Sequence, residues 1–152
     1  MKVLFVCIGN SCRSPMAEAV MKDMLAKENL DWEVDSAAIA SWNVGYPPEP
    51  RCLEVLHENG LDSDHIGRQI GSEDFERFDV VFGMDEGNVK DLLELAPKNC
   101  RARIELLGNY RRKELDKIIF DPYFERGTHG FRRCYDQIVI CCRNFIQRTR
   151  SN

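Results

Sequence analysis

Val3-Leu4-Phe5-Val6-Cys7 is an unbroken apolar run, and the polar stretch Gly9 to Arg13 follows it almost at once. A strand that is apolar at every residue is buried on both faces, the condition of a strand inside a parallel sheet. Beyond the polar stretch, Ala17, Val20, Met21 and Met24 recur at helical spacing. The opening therefore reads strand, loop, helix, with Ser14 as N-cap and Pro15 as first helical residue.

The unit repeats down the chain. Trp32 to Ile39 predicts a second strand, followed by Ser41 to Gly45, a Pro47-Pro48 turn and a helix over Arg51 to Asn59 that Gly60 stops. Phe78 to Met84 predicts a third strand, Asp85 starts a helix carrying Val89, Leu92 and Leu93, and Ala102 to Leu107 predicts a fourth strand. A closing helix shows Phe131, Cys134, Tyr135, Ile138, Cys142, Phe145 and Ile146 on one stripe, with most of its arginines elsewhere. Alternating strands and helices specify an α/β fold: a four-stranded parallel sheet with helices on both faces, a flavodoxin-like three-layer sandwich.

Residues 1–152 are long enough to bury one core without disulfides or structural metal, so a single domain is expected. The seven cysteines are odd in number and scattered through apolar segments, as suits reduced thiols in the cytoplasm. Val3 to Ile8 is too short for the apolar core of a signal peptide, and no apolar stretch is long enough to span a membrane. A net charge of -4 argues against bulk attraction to nucleic acid. Any anion site must be made locally, in a monomer or weak dimer.

In a parallel sheet the loops leaving the carboxyl ends of the strands share one edge, where open α/β folds bind ligands. The loops at 8–13, 36–46 and 108–130 are thus expected to meet. The first, Cys7-Ile8-Gly9-Asn10-Ser11-Cys12-Arg13-Ser14, sets five residues between a thiol and a guanidinium. Backbone N–H groups of such a turn, at a helix N-terminus, can converge on a dianion. Gly9 permits a close or left-handed backbone, Asn10 tolerates the left-handed region, and Arg13 can grip two phosphate oxygens. The positive surroundings favour the thiolate of Cys7. A cysteine at a strand end is commonly just a small buried hydrophobe, and Cys-x5-Arg arises by chance; the placement directly between a buried strand and a helix singles this one out. The nucleotide-binding pattern Gly-x4-Gly-Lys-Ser/Thr is missing. Cys7 and Cys12 lack the second ligand pair of a zinc site, so neither metal nor cofactor is expected.

With these residues in place the sequence resembles the low-molecular-weight protein tyrosine phosphatases, also known as acid phosphatases, over nearly the whole chain. The resemblance is carried by Val6 to Pro15, Asp35-Ser36-Ala37-Ala38, Trp42-Asn43-Val44-Gly45, Arg68-Gln69-Ile70, Met84-Asp85-Glu86 and Asp121-Pro122-Tyr123, in that order. It implies a metal-free phosphatase that acts on phosphotyrosine proteins and small aryl phosphates through a cysteinyl-phosphate intermediate, and that binds inorganic phosphate or similar oxyanions. It further implies that Cys7 is the nucleophile, Arg13 the phosphate clamp and Asp121 the general acid. Ile8, Gly9, Asn10, Ser11, Cys12 and Ser14 would surround the phosphate, with Ser14 on the Cys7 sulfur. Asn10, Ser36 and His65 would hold the loop in shape, while Trp42, Tyr123 and Phe124 would wall the crevice. Two features depart from the family pattern: Phe124 stands where a second tyrosine is common, and Glu125 to Arg133 is basic where acidic residues are common. The basic stretch suggests a preference for acidic phosphopeptides.

Asp121 also stands out on its own terms. The segment from Gly108 to Gly130 is long for a connection in a compact domain, and it leaves the last strand towards the Cys7 edge. Glu114 and Asp116 sit among Arg111, Arg112 and Lys113 in what reads as a helical, solvated run. Asp121 instead lies between the apolar Ile118-Ile119-Phe120 and the stiff Pro122. Two rival readings remain. An arsenate reductase of this fold would need relay cysteines near the third strand, where Phe82 and Val89 stand and no cysteine lies between Cys52 and Cys100. A silent phosphotyrosine-binding module would not need Cys7, Arg13 and Asp121 together. Finally, Cys12 shares a short curled loop with Cys7, within reach of a disulfide, so it is the expected redox partner of an oxidised Cys7.

Overall fold

The computed structural model describes residues 1–151. Its elements are β1 (Lys2–Cys7), α1 (Arg13–Lys27), β2 (Glu33–Ala38), α2 (Pro50–Glu58), α3 (Asp74–Arg77), β3 (Val80–Gly83), α4 (Glu86–Leu95), β4 (Arg103–Leu106), a 3₁₀ turn (Leu107–Tyr110) and α5 (His129–Ser151). The four strands form one parallel sheet in the order β2-β1-β3-β4, with Val3 opposite Val34 and Val80, and Phe5 opposite Ser36 and Phe82. The expected α/β sandwich is the fold observed.

The apolar run of β1 explains its central place. Alternate residues point to opposite faces, and both faces are covered. Val3 and Phe5 join a core with α1, α2 and α5, whereas Leu4 and Val6 join one with Phe75, Phe78 and Leu92. Each such side chain, fully withdrawn from water, stabilises the fold by roughly 1.5–3 kcal/mol. On the α5 side, Phe82 stacks on Phe5 at 5.6 Å and meets Phe145 edge-on at 4.9 Å, fixing the closing helix to the sheet. The stripe predicted for that helix is the buried one, with Tyr135 half-buried at its margin.

Two local expectations need correction, and one short helix was not anticipated. Helix α1 starts at Arg13, with Cys12 at the N-cap position and no side-chain cap. Ser14 does not cap it because its hydroxyl is committed to Cys7 and Asn10. The run around Glu114 and Asp116 is not helical but turns and irregular backbone. The short helix α3, unmarked by any apolar period, forms where Asp74 accepts two 3.0 Å hydrogen bonds from the Arg68 fork and one from the Gly71 N–H. Among the described residues no helix is long and apolar enough to cross a membrane.

Candidate active site

The carboxyl end of β1 delivers Cys7 to the sheet edge, and the chain from Ile8 to Cys12 curls over it before α1 begins. Cys7 is almost fully buried. Its sulfur receives the Asn10 N–H at 3.2 Å and lies 2.9 Å from Ser14 Oγ, so the groups nearest it can donate to a negative sulfur. Asn10 adopts the left-handed region, φ 52°, as its residue type allows. Gly9 is needed for closeness rather than for handedness. A Cβ there would stand 3.0 Å from Asn43 Nδ2, whose N–H donates to the Gly9 carbonyl at 3.0 Å.

Beneath the loop lies a buried polar network that fixes this curl. Asn10 Nδ2 donates to Ser14 Oγ (2.8 Å) and Ser36 Oγ (3.0 Å), which leaves its Oδ1 to accept from His65 Nε2 (2.7 Å) and the Arg68 N–H (3.2 Å). Ser36 Oγ donates to Glu18 at 2.6 Å, and His65 Nδ1 lies 3.0 Å from the same carboxylate oxygen. The supporting roles expected of Ser36 and His65 therefore have matching geometry. Donor atoms of Glu18, Asp35 and His65 also lie within 4.8 Å of one another, the spacing of a metal trio, but each is already engaged with a protein partner.

Glu18 is the member of this network that the sequence analysis passed over. Burial pushes its carboxyl up, but hydrogen bonds from His65, Lys22 and Ser36 outweigh that and hold it at about 2. A carboxylate held below its unfolded value stabilises the fold above the unfolded pKa, and this contribution is lost as pH falls through the folded one. For Glu18 the loss falls between about pH 4.5 and 2 and is worth on the order of 3 kcal/mol. Glu18→Gln is therefore expected to melt at markedly lower urea concentration at pH 7, and to lose less further stability than wild type between pH 5 and pH 2.5. Parallel acid limbs for the two proteins would remove Glu18 from this role.

Arg13, 3% exposed at its side chain, spans the floor of the crevice. Its Nη1 donates to Asp85 Oδ2 (2.9 Å) and the Ile119 carbonyl (3.2 Å), and its Nη2 lies 3.5 Å from Asp121 Oδ2. Burial works against its charge, and the proximity of Cys7, Asp121 and Asp85 restores it. Asp85, at the carboxyl end of β3 and also the N-cap of α4, orients the guanidinium. Sequence reasoning gave it the helix start and a place in the Met84-Asp85-Glu86 segment but no role beside Arg13, although its position at the ligand edge of the sheet was a signal.

The three loops meet as expected. Cys7, Ile8, Gly9, Ser11, Cys12 and Arg13, Trp42 with Asn43, and Asp121 with Tyr123 and Phe124 line one pocket, whereas Asn10 and Ser14, expected around the phosphate, are buried behind it with their side chains in the network beneath the loop. Trp42, Tyr123 and Phe124 are 67%, 52% and 87% exposed, so they form a wall open to solvent rather than core. Such a slot, apolar on its sides and cationic at its base, takes a flat group ending in an oxyanion. Cys12, 5% exposed, lines the same pocket as Cys7, which is 3% exposed. The basic stretch is less available than its composition suggests. Arg132 is held by Glu58 through bonds of 2.7 and 3.0 Å, and Arg133 lies over the Phe120 ring at 4.3 Å.

Comparison with known proteins agrees with this geometry. A sequence model of the family described as low molecular weight phosphotyrosine protein phosphatase matches residues 2–152. The chain is 49% identical over 147 residues to low molecular weight phosphotyrosine protein phosphatase 1 of Drosophila melanogaster, covering 96% of this chain and 95% of that one. Among solved structures, a Drosophila arginine phosphatase superposes with a TM-score of 0.94 at 49% identity, covering 98% of each chain. A protein tyrosine phosphatase of Entamoeba histolytica, with Hepes in its active site, superposes with a TM-score of 0.94 at 35% identity, covering 99% of this chain and 97% of that one.

Proposed function

Since this chain belongs to the low molecular weight phosphotyrosine protein phosphatase family, we propose that it hydrolyses phosphotyrosine and small aryl phosphates by passing the phosphoryl group through Cys7. The thiolate attacks phosphorus along the axis of the loop, whose N–H groups and Arg13 receive the equatorial oxygens. Asp121 protonates the departing phenolic oxygen, and once ionised it activates the water that frees phosphate from sulfur. The observation that carries this reading is the convergence of three groups in one crevice. Cys7 lies at its base with two hydrogen-bonding neighbours, and Arg13 reaches to within 3.5 Å of Asp121, which comes from a different loop. Residues 1–152 act in this reading as one domain, as a monomer or weak dimer, in the cytoplasm, a placement supported by seven cysteines that are all free. The direct test is release of phosphate from a phosphotyrosine peptide and from an aryl phosphate in the presence of a chelator.

A second reading follows from the Drosophila arginine phosphatase, which is as similar in sequence as the phosphotyrosine enzyme. A phosphorylated guanidinium is also flat, and it too leaves more readily once protonated, so Asp121 and the aromatic wall would serve both substrates. Phosphotyrosine and phosphoarginine peptides assayed side by side decide between them by the ratio of kcat/KM.

Oxidation is expected to act on the same site. The Cys12 thiol is pushed up to about 12, by burial first and then by the charges of Cys7, Glu49 and Asp121. It therefore stays protonated near neutral pH. Peroxide converts Cys7 to the sulfenic acid with loss of water, which removes one of those charges; condensation with the Cys12 thiol then expels a second water and forms a disulfide. Reductant should restore peroxide-treated wild type and recover much less of Cys12→Ser. Equal recovery in the two would remove Cys12 as the resolving thiol.

A further inference from the structure

Arg51, the second residue of α2, does not line the pocket yet touches the segment that supplies Asp121. Its Nη1 donates to the carbonyls of Glu125 and Gly127 (the latter at 3.2 Å), and its Nη2 donates to the carbonyl of Tyr123 at 3.1 Å. Its Nε donates to Glu49 at 2.9 Å, and its guanidinium lies 4.5 Å above the ring of the buried Phe131. Glu49 is also the N-cap of α2, accepting from the Arg51 N–H, and its own N–H donates to the Ser11 carbonyl at 2.9 Å. One turn of chain thus bonds to the nucleophile loop on one side and the acid loop on the other.

Ile119, Phe120 and the buried Pro122 anchor the entry to the acid loop, but its exposed part, 123–127, has little else to hold it. Among the described residues, the hydrogen bonds tying 122–127 to other parts of the chain all come from Arg51; those of Tyr123 to Asp121 and Glu125 to Pro122 are internal. Tyr123 and Phe124 are exposed, so apolar burial contributes little there, and Gly127 takes φ 70°, a turn that the three carbonyl contacts bracket. A segment with few buried contacts opens at low cost unless a specific contact closes it. A proton donor works only within hydrogen-bond reach of the leaving oxygen, and a displacement of about 1 Å can cost about 10²-fold.

We propose that Arg51 is a positioning residue that clamps the acid loop onto α2, setting Asp121 over the leaving group and Tyr123 with Phe124 against the slot. Lysine cannot replace it, because one ammonium does not reproduce a planar fork that meets three carbonyls and a carboxylate while stacked on a ring.

The proposal rests on Asp121 as proton donor, and the test separates the two. Arg51→Ala, Asp121→Asn and the double variant are assayed on aryl phosphates whose leaving groups range from phenol to strongly acidic phenols, with inorganic phosphate inhibition as the measure of an intact Cys7 loop. Arg51→Ala should lower kcat/KM for the phenol ester by about 10- to 100-fold, lower it less than about 3-fold for the most acidic leaving group, and leave phosphate affinity within about 3-fold. Added to Asp121→Asn, it should cost less than about 3-fold more on any ester. Amide hydrogen exchange should quicken across 123–127 and stay unchanged across 9–14. A uniform loss over the series, full multiplication of the two effects, or no loss overturns the clamp while leaving Asp121 in place. Should Asp121→Asn alone show no dependence on the leaving group, the proton-donor reading falls and the clamp falls with it. If Arg51→Ala loses phosphate affinity, Arg51→Lys, which keeps a positive charge beside Glu49 while losing the fork, carries the same comparisons.

Discussion

Cys7→Ser is expected to abolish turnover of phosphotyrosine, leaving the fold and the affinity for inorganic phosphate close to those of wild type. The groups around the sulfur can stabilise a charge that already exists, but none can create one. Asn10 offers an N–H, Ser14 a hydroxyl and Arg13 a guanidinium, and the nearest carboxylate across the crevice is committed to Arg13. A serine hydroxyl is un-ionised near neutral pH and needs an adjacent base, which this site lacks. The loop itself is held from below by the side chains of Asn10, Ser36, His65 and Glu18, which bond to one another and not to the sulfur. Oxyanion binding by N–H groups and Arg13 should therefore survive. The measurement is phosphate release under saturating phosphotyrosine peptide, alongside inhibition constants for phosphate. Activity of Cys7→Ser within a few-fold of wild type would remove Cys7 as the nucleophile.

What the sequence made legible, and what it hid, divides along a physical line. Patterns that follow the chain were readable: β1 through its continuous apolar run, α5 through its stripe, and the anion loop through its place between strand and helix. Asp121 was readable because a long connection leaving β4 had to return to the ligand edge. Relations across the chain were not. Glu18 lies amid Ala17, Ala19 and Val20, and a charge in so apolar a stretch is a warning, but its partners His65 and Ser36 come from 47 and 18 residues away. Ser14 reads as an N-cap by type and position, and only the three-dimensional nearness of Cys7 and Asn10 diverts its hydroxyl. The surroundings of the basic stretch were hidden for the same reason. Composition counts charges, but Glu58 and the Phe120 ring, which occupy Arg132 and Arg133, belong to other parts of the fold. Arg51 carries no local signature at all, since its three carbonyl partners lie more than 70 residues on.

Asp121→Asn should slow hydrolysis of phosphotyrosine by about 10²- to 10⁴-fold, the range for a lost general acid. Asparagine is the sharper variant here. Asp121 Oδ1 accepts from the Tyr123 N–H at 3.2 Å, a bond that shapes the turn, and the amide oxygen can keep it while the acid is lost. Alanine would remove both and mix a loosened loop with a missing proton. The substitution also removes a negative charge 3.5 Å from Arg13, so a dianion entering the site meets less repulsion and a freer guanidinium. Phosphate inhibition should be as strong as in wild type or stronger, and the whole loss should fall on kcat. The size of that loss should track the leaving group. Tyrosinate, whose conjugate acid has a pKa of about 10, departs poorly without a proton, whereas a phenol acidified by several units needs little help. A series of substituted aryl phosphates therefore gives a steeper dependence on leaving-group pKa for Asp121→Asn than for wild type. If all members of the series slow by one common factor, Asp121 shapes the loop or orients Arg13 and does not deliver the proton.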